Sequence, residues 1–387
     1  IIDVDFKNKC VVAQPGVTNL SITEAVQDHG YYYAPDPSSQ QACTIGGNIA
    51  ENSGGPHCLA YGVTTNHVLG IEVVSADGEI SWYGGRTREH PGYDLRGIMI
   101  GSEGTLSIVT KAILRLSRKP ESVKTLLAIY QDLDQASAAS SAVISSGIVP
   151  AAMEMMDDLA IKAAEPAVNA GYPENAGAVL LVEVEGLAEL VEEDVTDIEK
   201  VMSKHNPLEI RTAKTELERT KLWAGRKGAL GALGRLAPNY YLIDGTIPPS
   251  KLVEVMGKIK EISAEYNVPI ANVLHAGDGN LHPAILFDER NSRETQLAFE
   301  IGSIILKLCV DAGGALSGEH GIGMEKRELM PYMFNKDDLD SMAKLKTVFD
   351  KKSLLNPGKI FPNKADSKTT TFSQTSSVSN TGKGAYI

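Results

Sequence analysis

Cysteine is scarce and scattered: the 387 residues hold four, at Cys10, Cys43, Cys58 and Cys309, and no two form a CxxC pair. That spacing offers no disulfide framework, no zinc knuckle and no iron–sulfur ligand set, and it suits free thiols in a reducing compartment. A basic excess is also missing, since 37 Lys and Arg face 49 Asp and Glu for a net charge of -12. A binder of phosphate backbones needs a basic surface, so nucleic acid is excluded as a partner, and an acidic chain gains no attraction to anionic lipid. No apolar run approaches the roughly 20 residues of a membrane-spanning helix. The best candidate, residues 178–184, is short, is interrupted by Glu183 and reads as a buried strand. The GxGxxG and GxxxxGK[ST] fingerprints are absent, which removes a nicotinamide-binding turn and a nucleotide phosphate loop. The chain opens at Ile1 without a signal peptide or an initiator Met, so it reads as starting inside a longer protein of the cytoplasm, where the sequon Asn19-Leu20-Ser21 is a chance match.

What is present is an ordinary globular composition, 43% apolar and 22% charged, at a length that suggests two domains rather than one core. Residues 1–120 are rich in Gly, Asn, Ser and Thr, with short β-branched runs at 11–12, 67–75 and 106–116 and a short helix at 21–29. The texture changes at Arg118-Lys119-Pro120. Beyond it, strands at 123–130, 151–155, 178–185, 240–243 and 270–275 alternate with helices at 134–145, 187–203 and 250–266, followed by helices at 294–312 and 336–349. Such alternation predicts helices layered on a sheet, an α+β class. Residues 363–387 are mostly Ser, Thr, Lys and Asn and cannot bury enough surface to offset ordering entropy, so a disordered tail is expected there.

Two glycine-rich patches stand out near the front. The first runs from Pro35 through Ser38 and Ser39 to Thr44, Gly46, Gly47, Asn48, Asn52 and Gly54; the second is Gly101-Ser102-Glu103-Gly104-Thr105. Adjacent glycines let backbone N–H groups approach a bulky anionic or planar ligand, and Asn and Thr supply hydrogen bonds of both polarities. Composition alone favours the plainer reading, a pair of tight loops.

Near the back, His275-Ala276-Gly277-Asp278-Gly279-Asn280-Leu281-His282 sets two imidazoles on either side of a Gly-Asp-Gly-Asn turn. A turn there folds the flanking strands back and brings the rings together. Gly318-Glu319-His320-Gly321 adds a carboxylate and a third imidazole. Two His with one carboxylate is a divalent-metal set that leaves positions open for substrate, and a further His suits a base. The plain alternative is two unrelated glycine turns.

These segments carry a family resemblance. "GSEGTLSIVTKAILRL" and the Pro35–Gly55 stretch resemble the second half of a vanillyl-alcohol-oxidase-type FAD-binding domain, while "HAGDGNLHP", "SGEHGIG" and the closing "LNPGKIFP" resemble the C-terminal (ferredoxin-like, cap) domain of FAD-linked oxidases such as D-lactate, D-2-hydroxyglutarate and glycolate dehydrogenases. The resemblance implies a partial FAD-binding domain over 1–120, whose pyrophosphate loop lies ahead of Ile1, and a substrate domain over 121–362. It implies noncovalent FAD contacted by Pro35, Ser38, Ser39, Thr44, Gly46, Gly47, Asn48, Asn52, Gly54, Gly104, Ile108 and Asn356. His57 lies outside the position of the covalent flavin linkage found in some relatives, and reads as a hydrogen-bonding or packing residue. His275, His282 and Glu319 become ligands of a divalent metal (zinc, iron or manganese), His320 the base, and Asn280 a residue facing the substrate. The Trp223–Arg226 segment resembles a Trp-x-x-Arg motif whose Arg226 holds a substrate carboxylate as a bidentate fork. The stretch around Tyr241, where the 2-hydroxyglutarate branch carries Lys, favours the glycolate oxidase branch. The implied activity is oxidation of a small 2-hydroxy acid with hydride transfer to flavin N5. The implied partners are iron–sulfur and second flavin-domain subunits of a complex, cytoplasmic or peripheral at the inner membrane through them. Two rivals stay open: a metal-dependent hydrolase using the same His/Glu set, and a noncatalytic subunit of the complex.

Overall fold

The computed structural model describes residues 1–87, 92–173 and 175–362; the expected disordered tail lies outside the described residues. The first unit contains β1 (Asp3–Asp5), β2 (Cys10–Ala13), α1 (Asn19–Val26), β3 (Tyr31–Tyr32), α2 (Ile45–Glu51), α3 (Cys58–Tyr61), β4 (Val68–Val74), β5 (Ile80–Gly84), α4 (Leu95–Met99), β6 (Ile108–Arg115) and β7 (Ser117–Arg118). Five of its strands form an antiparallel sheet in the order β1-β2-β6-β4-β5. Val11, Ile71, Val73 and Leu114 pack from the sheet against Ile22 and Val26 of α1 and Ile45 and Ile49 of α2. The first glycine patch is thus a helix and not only loops. Thr44 caps it by accepting from Gly47 N, and Ile45 and Ile49, one turn apart, bury the same side. Those two contacts outweigh the helix penalty of Gly46 and Gly47.

The second unit contains β8 (Ser122–Tyr130), α5 (Leu133–Ser145), β9 (Ala152–Asp157), α6 (Asp158–Val168), β10 (Ala178–Gly186), α7 (Ala188–Ser203), β11 (Glu209–Thr212), α8 (Glu216–Ala232), β12 (Asn239–Leu242), β13 (Gly245–Thr246), α9 (Leu252–Tyr266), β14 (Ile270–His275), β15 (Asn280–Phe287), α10 (Ser292–Asp311), α11 (Met330–Met333) and α12 (Lys336–Phe349). Its eight-stranded sheet runs β11-β8-β10-β9-β14-β15-β12, with β13 on β15. Strand alternation divides the core. Leu126, Ala128, Tyr130, Leu180 and Val182 face one helical layer, which includes Val191, Val195 and Ile198 of α7 and Val255 and Ile259 of α9. Leu127, Ile129, Val179 and Leu181 face the other, formed by α6 and by Leu222, Trp223 and Ala229 of α8. Both faces are covered, so these strands read as continuous apolar runs, and a polar residue inside one of them is exceptional.

After α10 the chain returns to the first unit. Phe349 of α12 packs on the first core, Lys346 Nζ donates to Thr105 O at 2.8 Å, and Asn356 Nδ2 donates to Glu103 O. The last helix therefore touches both units, although chain order alone groups it with the second. No helix among the described residues is long and apolar enough to cross a membrane.

Candidate active site

The site is built on the α8 side of the large sheet. β14 and β15 form a hairpin that pairs His275 with Asn280 and Val273 with His282. Gly279 closes it at φ +80, where a Cβ would come 2.1 Å from Ile247 O, so a side chain is excluded twice over. The two imidazoles meet edge to face, with ring centroids 5.1 Å apart. Glu319 arrives on the loop after α10, and its Oε1 lies 3.4 Å from His275 Nε2 and 3.1 Å from His282 Nε2. His320 stacks on His282 at 5.2 Å and places Nε2 4.0 Å from Glu319 Oε1. The hairpin and the Glu-His pair are therefore one cluster, as the resemblance implied.

Two carboxylates that the motif reading passed over organise this cluster. Glu154, in the middle of β9, is directly opposite His275 and accepts from its Nδ1 at 2.7 Å. Its other oxygen lies 2.5 Å from Arg226 Nη2. Asp244, fully buried, gathers the Glu319 loop: it accepts from Ser317 Oγ at 2.6 Å, Gly318 N at 3.0 Å, Glu319 N at 3.2 Å and His320 N at 3.0 Å, and pairs with Lys326 Nζ at 3.1 Å. Burial disfavours its charge, but Lys326 and the facing histidines more than compensate, and its pKa falls to about 2. Both acids carried a sequence signal, an isolated carboxylate inside or at the end of an apolar run, "AAMEMM" and "YYLID".

The charges in the cluster follow from these contacts. Burial opposes ionisation of Glu319, yet hydrogen bonds from His275 and His282 hold it well below the usual carboxylate range. His275 is buried too, but Glu154 and Glu319 raise it well above an ordinary imidazole. Desolvation lowers His320, which keeps its ring neutral and able to take a proton, while 42% of its side chain stays open. Arg226 Nε, Asn280 Oδ1 and His282 Nδ1 are buried without a hydrogen-bond partner, while Arg226 Nη2 and Glu154 Oε2 face one another as a buried ion pair at 2.5 Å. An unpaired donor on a buried guanidinium is costly and leaves a place for a further acceptor.

The donor set fits a divalent cation, because two imidazole nitrogens and one carboxylate oxygen of His275, His282 and Glu319 all lie within 4.8 Å of one another. Two other groupings do not fit as well. Asp244, His282 and His320 converge, but the oxygens of Asp244 are engaged by N–H donors and Lys326. His57, Glu183 and Glu185 converge, but Glu183 is held by Arg219 at 2.8 Å and by Trp223 Nε1 at 2.6 Å.

The first unit borders this cluster with bare backbone. A Cβ on Gly54 would stand 2.7 Å from Glu319 Oε2, and the Glu103 carboxylate accepts from Ile322 N at 2.6 Å and Gly323 N at 2.8 Å. Gly104 and Asn356 adjoin one another, for a Cβ on Gly104 would lie 3.0 Å from Asn356 Nδ2. Of the other expected flavin contacts, Ser38, Gly47 and Ile108 are exposed, Ser39 is half-buried and Pro35 is buried. Asn48 and Asn52 are engaged internally, Asn48 with Asn19 at 3.2 Å and Asn52 Oδ1 with Thr65 N at 2.8 Å. Gly46 is filled by its packing on Pro15. Ser38 and Gly47 are thus the open positions of the first patch, while Gly54 is filled by its packing on Glu319 and Thr44, Gly46, Asn48 and Asn52 are engaged within the fold.

Comparison with known proteins places this architecture. Residues 119–360 match the family described as FAD linked oxidases, C-terminal domain, and residues 1–84 match the FAD binding domain. The chain belongs to the FAD-linked oxidase family. It is 46% identical over 362 residues to a glycolate oxidase subunit of Escherichia coli, covering 94% of this chain and 72% of that one. It is 32% identical to a D-lactate dehydrogenase of Archaeoglobus fulgidus, covering 93% and 79%. Among solved structures, a 4-ethylphenol oxidase from Gulosibacter chungangensis superposes with a TM-score of 0.76 at 16% identity, covering 94% of this chain and 79% of that one. A p-cresol methylhydroxylase gives 0.73, also at 16%, covering 93% and 77%. At that identity the likeness is one of fold alone. The glycine patch meets the histidine cluster where Gly54 packs closely on Glu319.

Proposed function

We propose that this FAD-linked oxidase converts a small 2-hydroxy acid, glycolate or D-lactate, to its 2-oxo acid. The reading is carried by one juxtaposition: two imidazoles sharing the Glu319 carboxylate, a neutral open imidazole stacked on one of them, and a buried guanidinium joined to the other through Glu154 with its Nε–H unpaired. Arg226 takes the substrate carboxylate through its unpaired Nε–H. Asn280, buried with an unpaired Oδ1, orients the hydroxyl. His320 accepts the hydroxyl proton as the Cα hydrogen departs with its electron pair. FAD, when bound, would supply the hydride acceptor, and His275, His282 and Glu319 would hold a divalent cation, which would supply Lewis acidity towards the substrate hydroxyl. The glycolate oxidase and D-lactate dehydrogenase relatives support a substrate of this class. The four cysteines are free and supply no cluster ligands, so electrons leave through another acceptor. A subunit role beside iron–sulfur and second flavin-domain partners, in the cytoplasm or at the inner membrane through them, agrees with the relative's description as a subunit.

The test is anaerobic. Protein reconstituted with FAD and Zn²⁺ or Mn²⁺ is titrated with glycolate and with D-lactate while the visible flavin band is followed. Bleaching by either acid is the expected result. Bound flavin that no 2-hydroxy acid bleaches would overturn the reading.

A further inference from the structure

Glu154 is a carboxylate flanked by methionines inside β9, 1% exposed, and taking it out of water is tolerable only with partners. It has two, one for each oxygen: His275 Nδ1 at 2.7 Å and Arg226 Nη2 at 2.5 Å. We infer that Glu154 is a positioning residue that sets the metal-ligand imidazole and the carboxylate-binding guanidinium together, so that cation affinity and substrate affinity share one determinant. The inference rests on the reading given under Proposed function.

The first contact is fixed by sheet register, since Glu154 and His275 are cross-strand partners between β9 and β14. An ionised carboxylate only accepts, so Glu154 holds a proton on Nδ1 of His275. The Nε2 nitrogen, on the side of Glu319 at 3.4 Å, is then the one whose proton a cation would displace. The second contact is a buried ion pair. Glu154 Oε2 meets Arg226 Nη2 at 2.5 Å and holds the guanidinium in place, while Arg226 Nε stays unpaired. Glu154 thus neutralises and fixes the guanidinium at one nitrogen and leaves Nε–H for an incoming carboxylate. It touches neither cation nor substrate itself.

Glu154→Gln tests this. An amide has one acceptor and one donor group, so it cannot serve two donors at once. Metal-stripped, FAD-loaded protein is titrated with Zn²⁺ by calorimetry, and kcat and KM for glycolate and D-lactate are measured at saturating Zn²⁺. The expected outcome is Zn²⁺ affinity weakened about 10- to 100-fold, as for other groups that orient a ligand imidazole. KM should rise about tenfold or more, the size of one charge-assisted hydrogen bond, with a smaller change in kcat. Glu154→Asp, which keeps the charge, should recover part of both and carries the test if the Gln variant fails to fold. A folded variant in which Zn²⁺ affinity or KM is unchanged overturns the inference. Wild-type protein that binds no Zn²⁺ overturns the metal site itself, and the inference with it.

Discussion

At the residue scale, the histidine cluster is organised by two buried carboxylates, Glu154 and Asp244. Asp244 is the clearest case. Four donors from residues 317–320 and the Lys326 ammonium converge on it, and no solvent replaces any of them. Replacing it with Asn turns one acceptor into a donor aimed at N–H groups and leaves Lys326 buried without a counter-charge. Asp244→Asn is expected to cost about 3 kcal/mol of stability, as breaking a buried pair does, and to lower kcat because His320 loses its fixed backbone. Urea unfolding and steady-state kinetics check it, and an unchanged midpoint together with unchanged kcat would refute it. His275, His282, Glu319 and His320 were legible from their spacing among glycines, because a tight turn leaves few ways to place two flanking rings. Glu154 and Asp244 were not assigned, because a single acid in an apolar run says only that a partner exists. Which partner depends on strand pairing.

At the element scale, α8 connects the sheet face to the first unit. Arg219, Trp223, Arg226 and Lys227 fall on adjoining faces of this helix, and they reach Glu183, Glu154 and Asp36. Its position is set by close approach to the segment after α6: a Cβ on Gly225 would lie 2.6 Å from Tyr172 Cε2 and 2.7 Å from Ala170 Cβ. Gly225→Ala therefore forces α8 outward, next to Arg226. The expected result is a loss of about 1–3 kcal/mol, typical of overpacking, with KM for the 2-hydroxy acid raised more than kcat is lowered. Thermal unfolding and kinetics measure the two effects, and a variant with native stability would show that the helix has slack at this point. Periodicity exposed α7 and α9, with apolar residues every three or four positions and polar faces outward. It passed over α6, whose buried face is mostly alanine, and α8, whose buried face mixes Leu222 and Trp223 with Gly225, Arg226, Ala229 and Ala232, so neither shows a clean apolar stripe.

At the scale of the whole molecule, the two units are held by charge. His57, from the first unit, donates between Asp36 at 2.9 Å and Glu183 of β10 at 3.1 Å, and stacks on Trp223 of α8. Burial works against its charge, but Asp36 and then Glu183 more than reverse this and raise its pKa to about 10. A group raised in the folded state adds stability that is complete below its unfolded pKa, about 6.5. That contribution is lost as pH climbs through 10. Asp36, lowered to about 2 against its burial by His57 and Lys227, gives the acid-side counterpart, present above about 3.8 and lost as pH falls towards 2. His57→Gln should therefore lower Tm most near pH 6, and the gap to wild type should close as pH approaches 10. A gap that is constant from pH 6 to 10 would show that packing on Trp223, not charge, is what His57 contributes.

By itself the sequence determined the alternation of strands and helices, the histidine hairpin with its Glu-His partner, and the absence of cluster cysteines and membrane-length helices, since each follows from local spacing. Tertiary structure decided what local spacing cannot reach. It joined Glu154 to His275 and Arg226, gathered residues 317–320 onto Asp244, turned the first glycine patch into a capped helix, and brought the chain's last helix back to the first unit. Apart from the local cap of that helix, those outcomes rest on strand order, register and close backbone approach between segments far apart in the chain, and no short window contains them.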